Sequence, residues 1–392
     1  MKKSVVENMS TVTESNSKSN HKSLAVIGAS YLQRPLVEKA KEMGLRVICF
    51  AWAEGAVCKD ICDAFYPISI VEKEEILDVC RKENIDGICT IASDVAAPTV
   101  AYVAEKMGLK GNSYESALKA HDKMDMRLAF SKHGVPCPKF WQVQSVDDIE
   151  KEELTFPLIV KPVDRSGSLG VTKVDNLDDL NIAIENACRD SFRKTAIVEQ
   201  FVEGREVSVE FISYDGVHYP LAITDKVTTG APHFVELAHH QSSTLPTEIK
   251  DSLYSITKNA LNALGVTNGA SHSEYKITKD GGIFIIETGA RMGGDFIGSD
   301  LVRLSTGYDF VKGVIEVALG TFEKPVLSEN SCSGVYFLCK ETPEVLKYIE
   351  NKEKYPQIVA AEITDNELKD VTCSAERSGY FMYKSEKKFE IG

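Results

Sequence analysis

The segment of the sequence that most constrains the fold is Ser271–Arg291, SHSEYKITKDGGIFIIETGAR. Two runs of strand-forming residues, Ser271–Thr278 and Ile283–Thr288, flank the four residues Lys279-Asp280-Gly281-Gly282. Those four residues are typical of a tight turn, because they tolerate a positive φ. The pattern predicts a β-hairpin.

The register of this hairpin brings two glutamates together. Whether Asp280-Gly281 forms the tip or all four turn residues form the loop, Glu274 lies directly opposite Glu287. Facing side chains on a ladder lie about 5 Å apart at Cβ, and two carboxylates at that distance repel each other. A cation relieves the repulsion, and Mg²⁺ suits such a site because it binds one or two carboxylates and takes further oxygens from water and phosphates. We predict that both glutamates bind Mg²⁺, with Arg291 able to hold a second anion; the alternative is a solvated acidic face.

Bulk properties exclude several classes of protein. A chain of 392 residues, 26% charged and 43% hydrophobic, is long enough for two or three globular domains. Its net charge of −13 argues against binding to nucleic acid or to an anionic membrane surface. It contains no run of about 18 apolar residues, so we expect no membrane span. Residues 1–21 are polar and predict a disordered tail and not a signal peptide.

The cysteines indicate a reducing compartment. Ten are scattered singly, and the closest pair, Cys58 and Cys62, has no matching second pair, so a zinc site is not expected. We expect most of them to be buried small hydrophobic residues in a cytoplasmic protein.

The first hundred or so residues alternate between strand-like and helix-like runs. The predicted order is strand Leu24–Ile27, helix Pro35–Met43, strand Arg46–Phe50, helix Glu74–Glu83, strand Gly87–Ile91 and helix Ala96–Met107. This βαβ order predicts a parallel sheet that is similar to half of a doubly wound fold. The Gly28-Ala29-Ser30 turn lacks G-x-G-x-x-G, so a dinucleotide site is not expected there.

Two groups of positively charged side chains follow: a helical stripe, of a kind that is solvated in most proteins, and a strand lysine that would need an anion. Ser116–His133 is predicted to be one helix with Lys119, Lys123 and Arg127 four apart on one face. In the strand Phe156–Pro162, Lys161 follows a run of mostly apolar residues, and a lysine on a buried strand must meet an anion.

A short segment of small residues comes next, Ser166-Gly167-Ser168-Leu169-Gly170. Small residues let backbone N–H groups approach phosphate oxygens, although this segment is not a Walker A loop. The predicted strand Ala196–Val202 contains Glu199, and Glu206 follows it; both lie at the edges of an apolar region. Their carboxylates could accept hydrogen bonds from an amino group and from sugar hydroxyls.

The segment Thr228–Pro246 is predicted to be a long loop without regular structure, and such loops tend to be functional or mobile. The adjacent residues His239 and His240 are interpreted as polar groups of a substrate loop and not as joint metal ligands. After the hairpin, helices are predicted near Asp300–Leu304 and over Tyr308–Ala318, and strand-like and helix-like runs alternate from Ser333 onward.

In this order, the segments resemble an ATP-grasp ligase. The similarity rests on a βαβ domain followed by Lys123, Lys161, the Gly/Ser segment, VEQFVEGRE, Asp225-Lys226, the acidic hairpin and ETGARMGG, and it extends from Lys22 to Gly392. Within that superfamily, the chain is most similar to bacterial carboxylate–amine ligases, including the L-amino acid (dipeptide) ligases.

The resemblance implies an α/β fold, α+β in the ligase part, with an N-terminal parallel-sheet domain followed by a two-lobed ATP-grasp fold. The implied domains are the tail at 1–21, a pre-ATP-grasp (biotin-carboxylase-N-like) domain at 22–118, the small lobe with its linker helix at 119–198, and the large lobe with a C-terminal extension at 199–392.

The resemblance also implies roles for individual residues. Those implied to bind the nucleotide are Lys123 and Lys161 at the phosphates, Ser166, Gly167 and Ser168 in a phosphate-covering loop, Glu199, Gln200, Phe201 and Val202 at the adenine, and Glu206 at the ribose. Lys226 is implied to contact phosphate and Arg291 to steady the carboxyl phosphate, while Glu274 and Glu287 match the Mg²⁺ ligands. The substrate loops are implied to contain His233, Glu236, His239, Gly293 and Gly294.

One position departs from the family pattern. Many members read E-x-N-x-R at the end of the hairpin, where the Asn adds a metal contact, whereas this chain has Gly289 in place of that Asn. A second Mg²⁺ would then depend on phosphate, water and Glu287.

The activity implied is ATP-dependent amide or peptide bond formation through an acyl phosphate, with ATP and Mg²⁺ as cofactors and Mn²⁺ as a possible substitute. The implied partners are a small-molecule carboxylate and an amine, with a homodimer possible and neither nucleic acid nor membrane expected. Two alternatives stay open: a carboxylase or carbamoyl-phosphate-type enzyme acting on bicarbonate or a metabolite carboxylate, and a catalytically silent nucleotide-binding regulator.

Overall fold

The computed structural model describes residues 21–150, 154–165, 170–231 and 233–392. Residues 1–20 of the predicted tail, and Ser166, Gly167 and Ser168 of the predicted phosphate-covering loop, lie outside the described residues.

Three sheets and their covering helices make up the described part of the chain. The strands are β1 (Ser23–Ile27), β2 (Arg46–Phe50), β3 (Ala64–Tyr66), β4 (Gly87–Cys89), β5 (Phe140–Val143), β6 (Leu158–Pro162), β7 (Thr172–Val174), β8 (Ala196–Gln200), β9 (Arg205–Tyr214), β10 (Val217–Thr228), β11 (Glu236–Gln241), β12 (Gly269–Ile277), β13 (Ile283–Gly289), β14 (Cys332–Leu338), β15 (Ile358–Ile363) and β16 (Gly379–Ser385). The helices are α1 (Arg34–Glu42), α2 (Lys73–Glu83), α3 (Ala97–Met107), α4 (Tyr114–His121), α5 (Lys123–Lys132), α6 (Leu177–Asp190), α7 (Thr247–Leu264), α8 (Val302–Thr306), α9 (Phe310–Ala318) and α10 (Val345–Glu350).

The first sheet is parallel, in the order β3-β2-β1-β4, which confirms the predicted βαβ domain. All five residues of β1 are buried. Because successive side chains of a strand point to opposite sides, both faces of β1 are therefore covered. Leu24 and Val26 pack in the core that contains α1, whereas Ala25 and Ile27 pack in the core that contains α2 and α3. A strand covered on both faces reads as the continuous apolar run seen in the sequence.

The second sheet is small and antiparallel, in the order β5-β8-β6-β7. Apolar residues of α6 cover one face, and Leu180, Ile184 and Val198 belong to that core. The strand β8 belongs wholly to this sheet and spans the implied domain boundary between 198 and 199. The domain bounds stay a prediction.

The third sheet has the order β13-β12-β9-β10-β11-β14-β16-β15, with every pair antiparallel. One face of its β9 and β12 strands packs against α7 through apolar side chains such as Val207, Val209 and Tyr275. The residues between them, which include Ser208 and Glu274, point to the opposite face because a strand alternates with a period of two. Charged groups are therefore collected on the face away from α7.

The hairpin pairs Glu274 with Glu287 directly, as predicted, but its predicted tip is wrong. The loop has three residues, closed by a hydrogen bond from the Thr278 N–H to the Gly282 carbonyl (2.9 Å), with Gly281 at φ 89°. The ladder register shifts by one residue between Glu274 and its neighbour in β12, which leaves Ile286 as a β-bulge. The bulge restores the pairing that a two-residue or four-residue loop would have produced.

The single helix predicted over Ser116–His133 is wrong, because α4 and α5 are separate helices joined at Asp122. Asp122 is extended (ψ 121°), and its carboxylate accepts hydrogen bonds from two N–H groups of the first turn of α5, which caps that helix. Lys119 consequently lies on α4, partly exposed and paired with Glu115, whereas Lys123 lies on α5 and is buried.

The loop predicted over Thr228–Pro246 contains a regular strand, so that prediction is also wrong. β11 pairs with β10 on one side and with β14 on the other, and His239 and His240 are buried in it. All ten cysteines are free, but only five of them are buried and the other five are partly exposed, so the expectation that most are buried is wrong. Within the described ranges, no helix is both long and apolar enough to cross a membrane.

Candidate active site

A cavity of about 570 Å³ lies where the three sheets meet, and it is bordered by the charged face of the third sheet. Residues from the loops that follow β1 and β4 complete it, among them Tyr31 and Asp94. Of the residues singled out from the sequence, those that line it are Lys123, Lys161, Glu199, Gln200, Phe201, Val202, Glu206, Lys226, Glu236, His239, Glu274, Glu287, Arg291 and Gly294. His233 and Gly293 are not among its lining residues. The individual roles stay predictions.

Lys161 does meet an anion, the carboxylate of Glu199. The ion pair measures 2.7 Å, and a second pair of 2.6 Å joins Glu199 to Arg127. All three side chains are at most 6% exposed. Burial and the neighbouring Arg127 lower the pKa of Lys161, against the opposing effect of Glu199. Glu199, whose carboxylate was expected to accept from an adenine amino group, is thus held between two cations.

Lys123 begins α5 and reaches the hairpin. Its Nζ donates to Glu287 Oε1 (2.9 Å) and to the carbonyl oxygen of Arg165 (2.6 Å). It therefore joins a helix, the small sheet and the third sheet at the cavity wall. A cation of this kind at the meeting point of two lobes can stabilise a bound polyanion.

Lys226 lies on β10 in contact with three carboxylates. Its Nζ is 2.6 Å from Glu274, 3.3 Å from Glu236 and 3.4 Å from Glu206. Burial lowers the pKa of Lys226, but these three carboxylates outweigh it and hold the pKa well above its ordinary value. Lys276, on β12, makes a second contact with Glu206 (2.8 Å).

The facing glutamates fit a partial Mg²⁺ site. Their side chains are 27% and 25% exposed toward the cavity, and each supplies the carboxylate oxygens that Mg²⁺ prefers. Burial raises the pKa of Glu274, but Lys226 and His272 outweigh it and hold the pKa well below its usual range. Within the described residues no cluster of three His, Cys, Asp or Glu side chains could hold a metal ion by itself. The remaining ligands would come from phosphate and water.

Arg291 is held by a residue of the first domain that the sequence reasoning missed. Its guanidinium donates to both carboxylate oxygens of Asp94, at 2.8 and 2.6 Å, in a bidentate pair. Burial lowers the pKa of Arg291, while the adjacent Asp94 raises it, and the net shift is upward. A Cβ at Gly289 would lie 2.6 Å from Asp94 Oδ1. The space beside Gly289 is therefore filled by a carboxylate that follows the first sheet.

A second group of polar side chains surrounds Glu236 and Asp295 in the cavity wall. Asp295 accepts from Arg377 (2.8 Å), and the carboxylate of Glu236 accepts from the Ser374 hydroxyl (3.0 Å). His239 is 1% exposed; neither ring nitrogen has a hydrogen-bond partner in the described part of the chain, and Nε2 is 4.0 Å from Asp295. Burial lowers the pKa of His239, so the imidazole is neutral and can accept a proton or a hydrogen bond.

Several site residues were missed, and only some left a signal in the sequence. His272, Glu274 and Lys276 alternate on β12, and Glu206, Ser208 and Glu210 alternate on β9, so a period of two could have revealed the shared face. Asp94 follows the carboxyl end of a parallel strand, where ligands of such sheets gather. Asp295 and Arg377 carry no pattern that joins them.

Comparison with known proteins agrees with this fold. Residues 154–300 match the model of the ATP-grasp domain. This middle part of the chain is therefore similar to an ATP-grasp domain. The structure of an L-amino acid ligase from Bacillus licheniformis superimposes with a TM-score of 0.79 over 94% of each chain, at 24% sequence identity. The expected ATP-grasp fold, preceded by a parallel-sheet domain, is thus confirmed.

Two kinds of curated ligase relative are similar in sequence. The alanine–anticapsin ligase of Bacillus subtilis (strain 168) is 32% identical over 245 residues, which are 56% of this chain and 51% of that protein. The carbamoyl phosphate synthase large chain of Rubrobacter xylanophilus is 26% identical over 296 residues, 71% of this chain and 28% of that one. The chain spans about half the length of the alanine–anticapsin ligase and less than a third of the carbamoyl phosphate synthase large chain.

Proposed function

We propose that this protein is an ATP-dependent carboxylate–amine ligase that joins amino-acid substrates by an amide bond and releases ADP and phosphate. The observation that carries the proposal is the direct pairing of Glu274 with Glu287 in the cavity that also holds Lys123, Lys161 and Arg291. The similarity to an alanine–anticapsin ligase and to an L-amino acid ligase supports amide bond formation.

A carboxylate must be activated before an amine can displace one of its oxygens. Transfer of the γ-phosphoryl group of ATP gives an acyl phosphate and ADP; the amine then attacks the carbonyl carbon, loses a proton and expels phosphate. Such transfer depends on positioning and on neutralising charge. Lys123 and Lys161 would hold the nucleotide phosphates, and Lys226 and Arg291 would stabilise the transferring group. When bound to the two glutamates, Mg²⁺ would neutralise phosphate charge.

The substrate end of the cavity has the chemistry to bind an amino acid. Arg291 is a fixed guanidinium suited to a carboxylate, and Glu236 and Asp295 are carboxylates suited to an ammonium group. The neutral His239 between them is an additional acceptor. Gly294 leaves space at this wall, since its nearest neighbour for a Cβ is Ala92 at 3.5 Å.

Phosphate release from ATP, measured with a matrix of single and paired amino acids, tests the proposal. Release that requires two amino acids is the expected result. Release with bicarbonate instead would support the carboxylase or carbamoyl-phosphate-type alternative, to which the similarity with carbamoyl phosphate synthase points. Nucleotide binding without release under any condition would support the silent regulator.

The Glu287→Gln variant sharpens this test because it removes one facing charge and keeps the shape of the side chain. We expect loss of 10²–10³ in rate, about 3–4 kcal/mol of transition-state stabilisation. The exposed Glu185→Gln on α6 is the matched control and should have wild-type activity. A fully active Glu287→Gln protein would contradict the metal role.

Further properties belong to the same proposal. Mn²⁺ should replace Mg²⁺, because it also accepts oxygen ligands in octahedral geometry. A homodimer, a cytoplasmic location and the absence of nucleic-acid or membrane partners stay predictions from the sequence and the family resemblance.

A further inference from the structure

A buried carboxylate and an imidazole lie directly behind one of the facing glutamates. Glu210 on β9 and His272 on β12 occupy paired positions of the ladder, and Glu274 is two residues farther along β12 on the same face. His272 Nδ1 is 2.5 Å from Glu210 Oε1, and His272 Nε2 is 3.2 Å from Glu274 Oε1. The imidazole therefore bridges two carboxylates, one of which lines the cavity while the other does not.

Packing of the core does not require Glu210 to be a glutamate. Its side chain is 0% exposed; Oε1 accepts from Ser208 Oγ (3.2 Å), and Oε2 has no hydrogen-bond partner within the described ranges. Burying a carboxylate is costly, and replacing a buried ion pair by apolar residues of similar volume is often neutral or stabilising. A buried carboxylate that leaves one oxygen unpaired is therefore weak evidence for a purely stabilising role.

The contacts of Glu274 indicate how the pair could act on the cavity. Oε1 of Glu274 is contacted by His272 and also by the Lys226 Nζ (2.6 Å), so two groups on different strands fix the same oxygen. Contacts in the described part of the chain thus fall on Oε1 and leave Oε2 for a ligand. An imidazole that is itself held by a carboxylate has a fixed ring orientation, which is how outer groups orient metal ligands.

Gly293 lies close to the Glu210–His272 pair. A Cβ at this position would lie 2.8 Å from His272 Nδ1 and 3.2 Å from Glu210 Oε2, so the backbone of Gly293 packs against the pair. The sequence singled out Gly293 as a substrate-loop residue, yet it does not line the cavity. Its closeness to the imidazole accounts for a glycine at that position.

We propose that Glu210 and His272 are positioning residues that hold the carboxylate of Glu274 in the orientation needed to bind the metal–nucleotide complex. This inference rests on the proposed function, in which Glu274 is a metal ligand. Neither residue is assigned a step in the reaction; His272 acts through Glu274, and Glu210 acts through His272.

The test compares Glu210→Gln and His272→Gln with a matched control. His218→Gln on β10 alters another buried histidine, hydrogen-bonded to Ser213 Oγ (2.7 Å) and Asn262 (3.2 Å) but absent from the cavity wall. Mn²⁺ binding in the presence of ADP, followed by electron paramagnetic resonance, gives a readout that does not depend on turnover. The Mg²⁺ dependence of ATP-driven phosphate release gives the second.

We expect the Glu210→Gln and His272→Gln variants to bind Mn²⁺ 10–100-fold more weakly and to need correspondingly more Mg²⁺, with the rate at saturating Mg²⁺ reduced much less. His218→Gln should leave both readouts at the wild-type values. Folded Glu210→Gln and His272→Gln proteins with wild-type Mn²⁺ affinity and Mg²⁺ dependence would overturn the inference.

Two further outcomes are distinguishable. Circular dichroism would show whether the Gln variants unfold. In that case the Glu210→Leu/His272→Leu double variant takes their place, because it replaces the pair with apolar groups. Wild-type Mn²⁺ affinity in that protein would equally overturn the inference, and weakened affinity would support it. If the wild-type protein binds Mn²⁺ with ADP but never releases phosphate from ATP, the proposed function fails, and the affinity comparison still decides the positioning role.

Discussion

Replacing Gly289 with alanine tests whether the junction between the first sheet and the hairpin is packed around Asp94. The added Cβ would lie 2.6 Å from Asp94 Oδ1 and 3.1 Å from Arg291 Cζ. Both partners are held in a bidentate pair and are only 12% and 16% exposed, so neither can move aside without losing a charge-assisted hydrogen bond. Overpacking of a filled site costs about 1–3 kcal/mol, and a weakened hydrogen bond to a charged group adds to it. We expect the free energy of unfolding to fall by about 2–3 kcal/mol.

Urea-induced unfolding of four proteins measures this effect: wild type, Gly289→Ala, Asp94→Ala and the double variant. If the clash with Asp94 is the cause, Gly289→Ala destabilises the Asp94→Ala protein less than it destabilises the wild type. The difference should be at least about 1 kcal/mol, a coupling energy in the range found for residues in contact. The control is Gly294→Ala, whose Cβ would meet only Ala92 at 3.5 Å and should be neutral or slightly stabilising. Equal costs of Gly289→Ala in both backgrounds would refute the reasoning.

Three other substitutions have defined outcomes. Lys161→Ala should weaken ATP binding and lower the rate by 10²–10³, and unchanged steady-state kinetics would contradict its assignment. Lys226→Met leaves three carboxylates without their shared cation, so we expect the free energy of unfolding to fall by about 3–5 kcal/mol. In a thermal shift assay, Mg²⁺ with ADP should restore part of the lost stability, and a wild-type Tm would contradict this expectation. Burial lowers the pKa of His240 to about 3, so its stabilising effect is complete above the unfolded pKa of about 6.5 and is lost progressively as pH falls toward 3. Between pH 7 and 5 we expect urea unfolding to show the wild type losing about 2 kcal/mol more than His240→Gln, and equal losses would argue against a neutral buried histidine.

The hairpin shows how far local pattern reaches. Pairing of the two glutamates was predictable because two strand runs and a glycine turn determine it within about one residue. The bulge at Ile286 was not, because distant groups stabilise it. The Ile286 carbonyl accepts from Arg127, 159 residues away in the chain, and the Ile285 N–H donates to the carbonyl of Pro136. A backbone N–H or C=O group that a bulge removes from the ladder needs such a partner. The hairpin sequence alone gives no information about which distant residue that partner is.

The buried polar strand β11 could not be predicted from local pattern, for a different reason. Glu236–Gln241 has few apolar residues, so its sequence lacks the alternation that marks a strand with one solvated face. Its histidines are nonetheless buried, because they pack against aromatic rings of β14 such as Phe337 and Tyr336. The contact between Asp94 and Arg291, separated by 197 residues, likewise depends on how two domains meet.

The predicted ligand-binding cations share one property: each already has a carboxylate partner of the protein. The pairs are Lys123 with Glu287, Lys161 with Glu199, Lys226 with Glu274, and Arg291 with Asp94. An incoming polyanion must therefore compete with resident carboxylates, and an incoming metal must compete with resident ammonium groups. When both arrive together, each takes the partner that the other has released. Loading of such a cavity is expected to be an exchange of partners in which nucleotide and metal strengthen each other's binding.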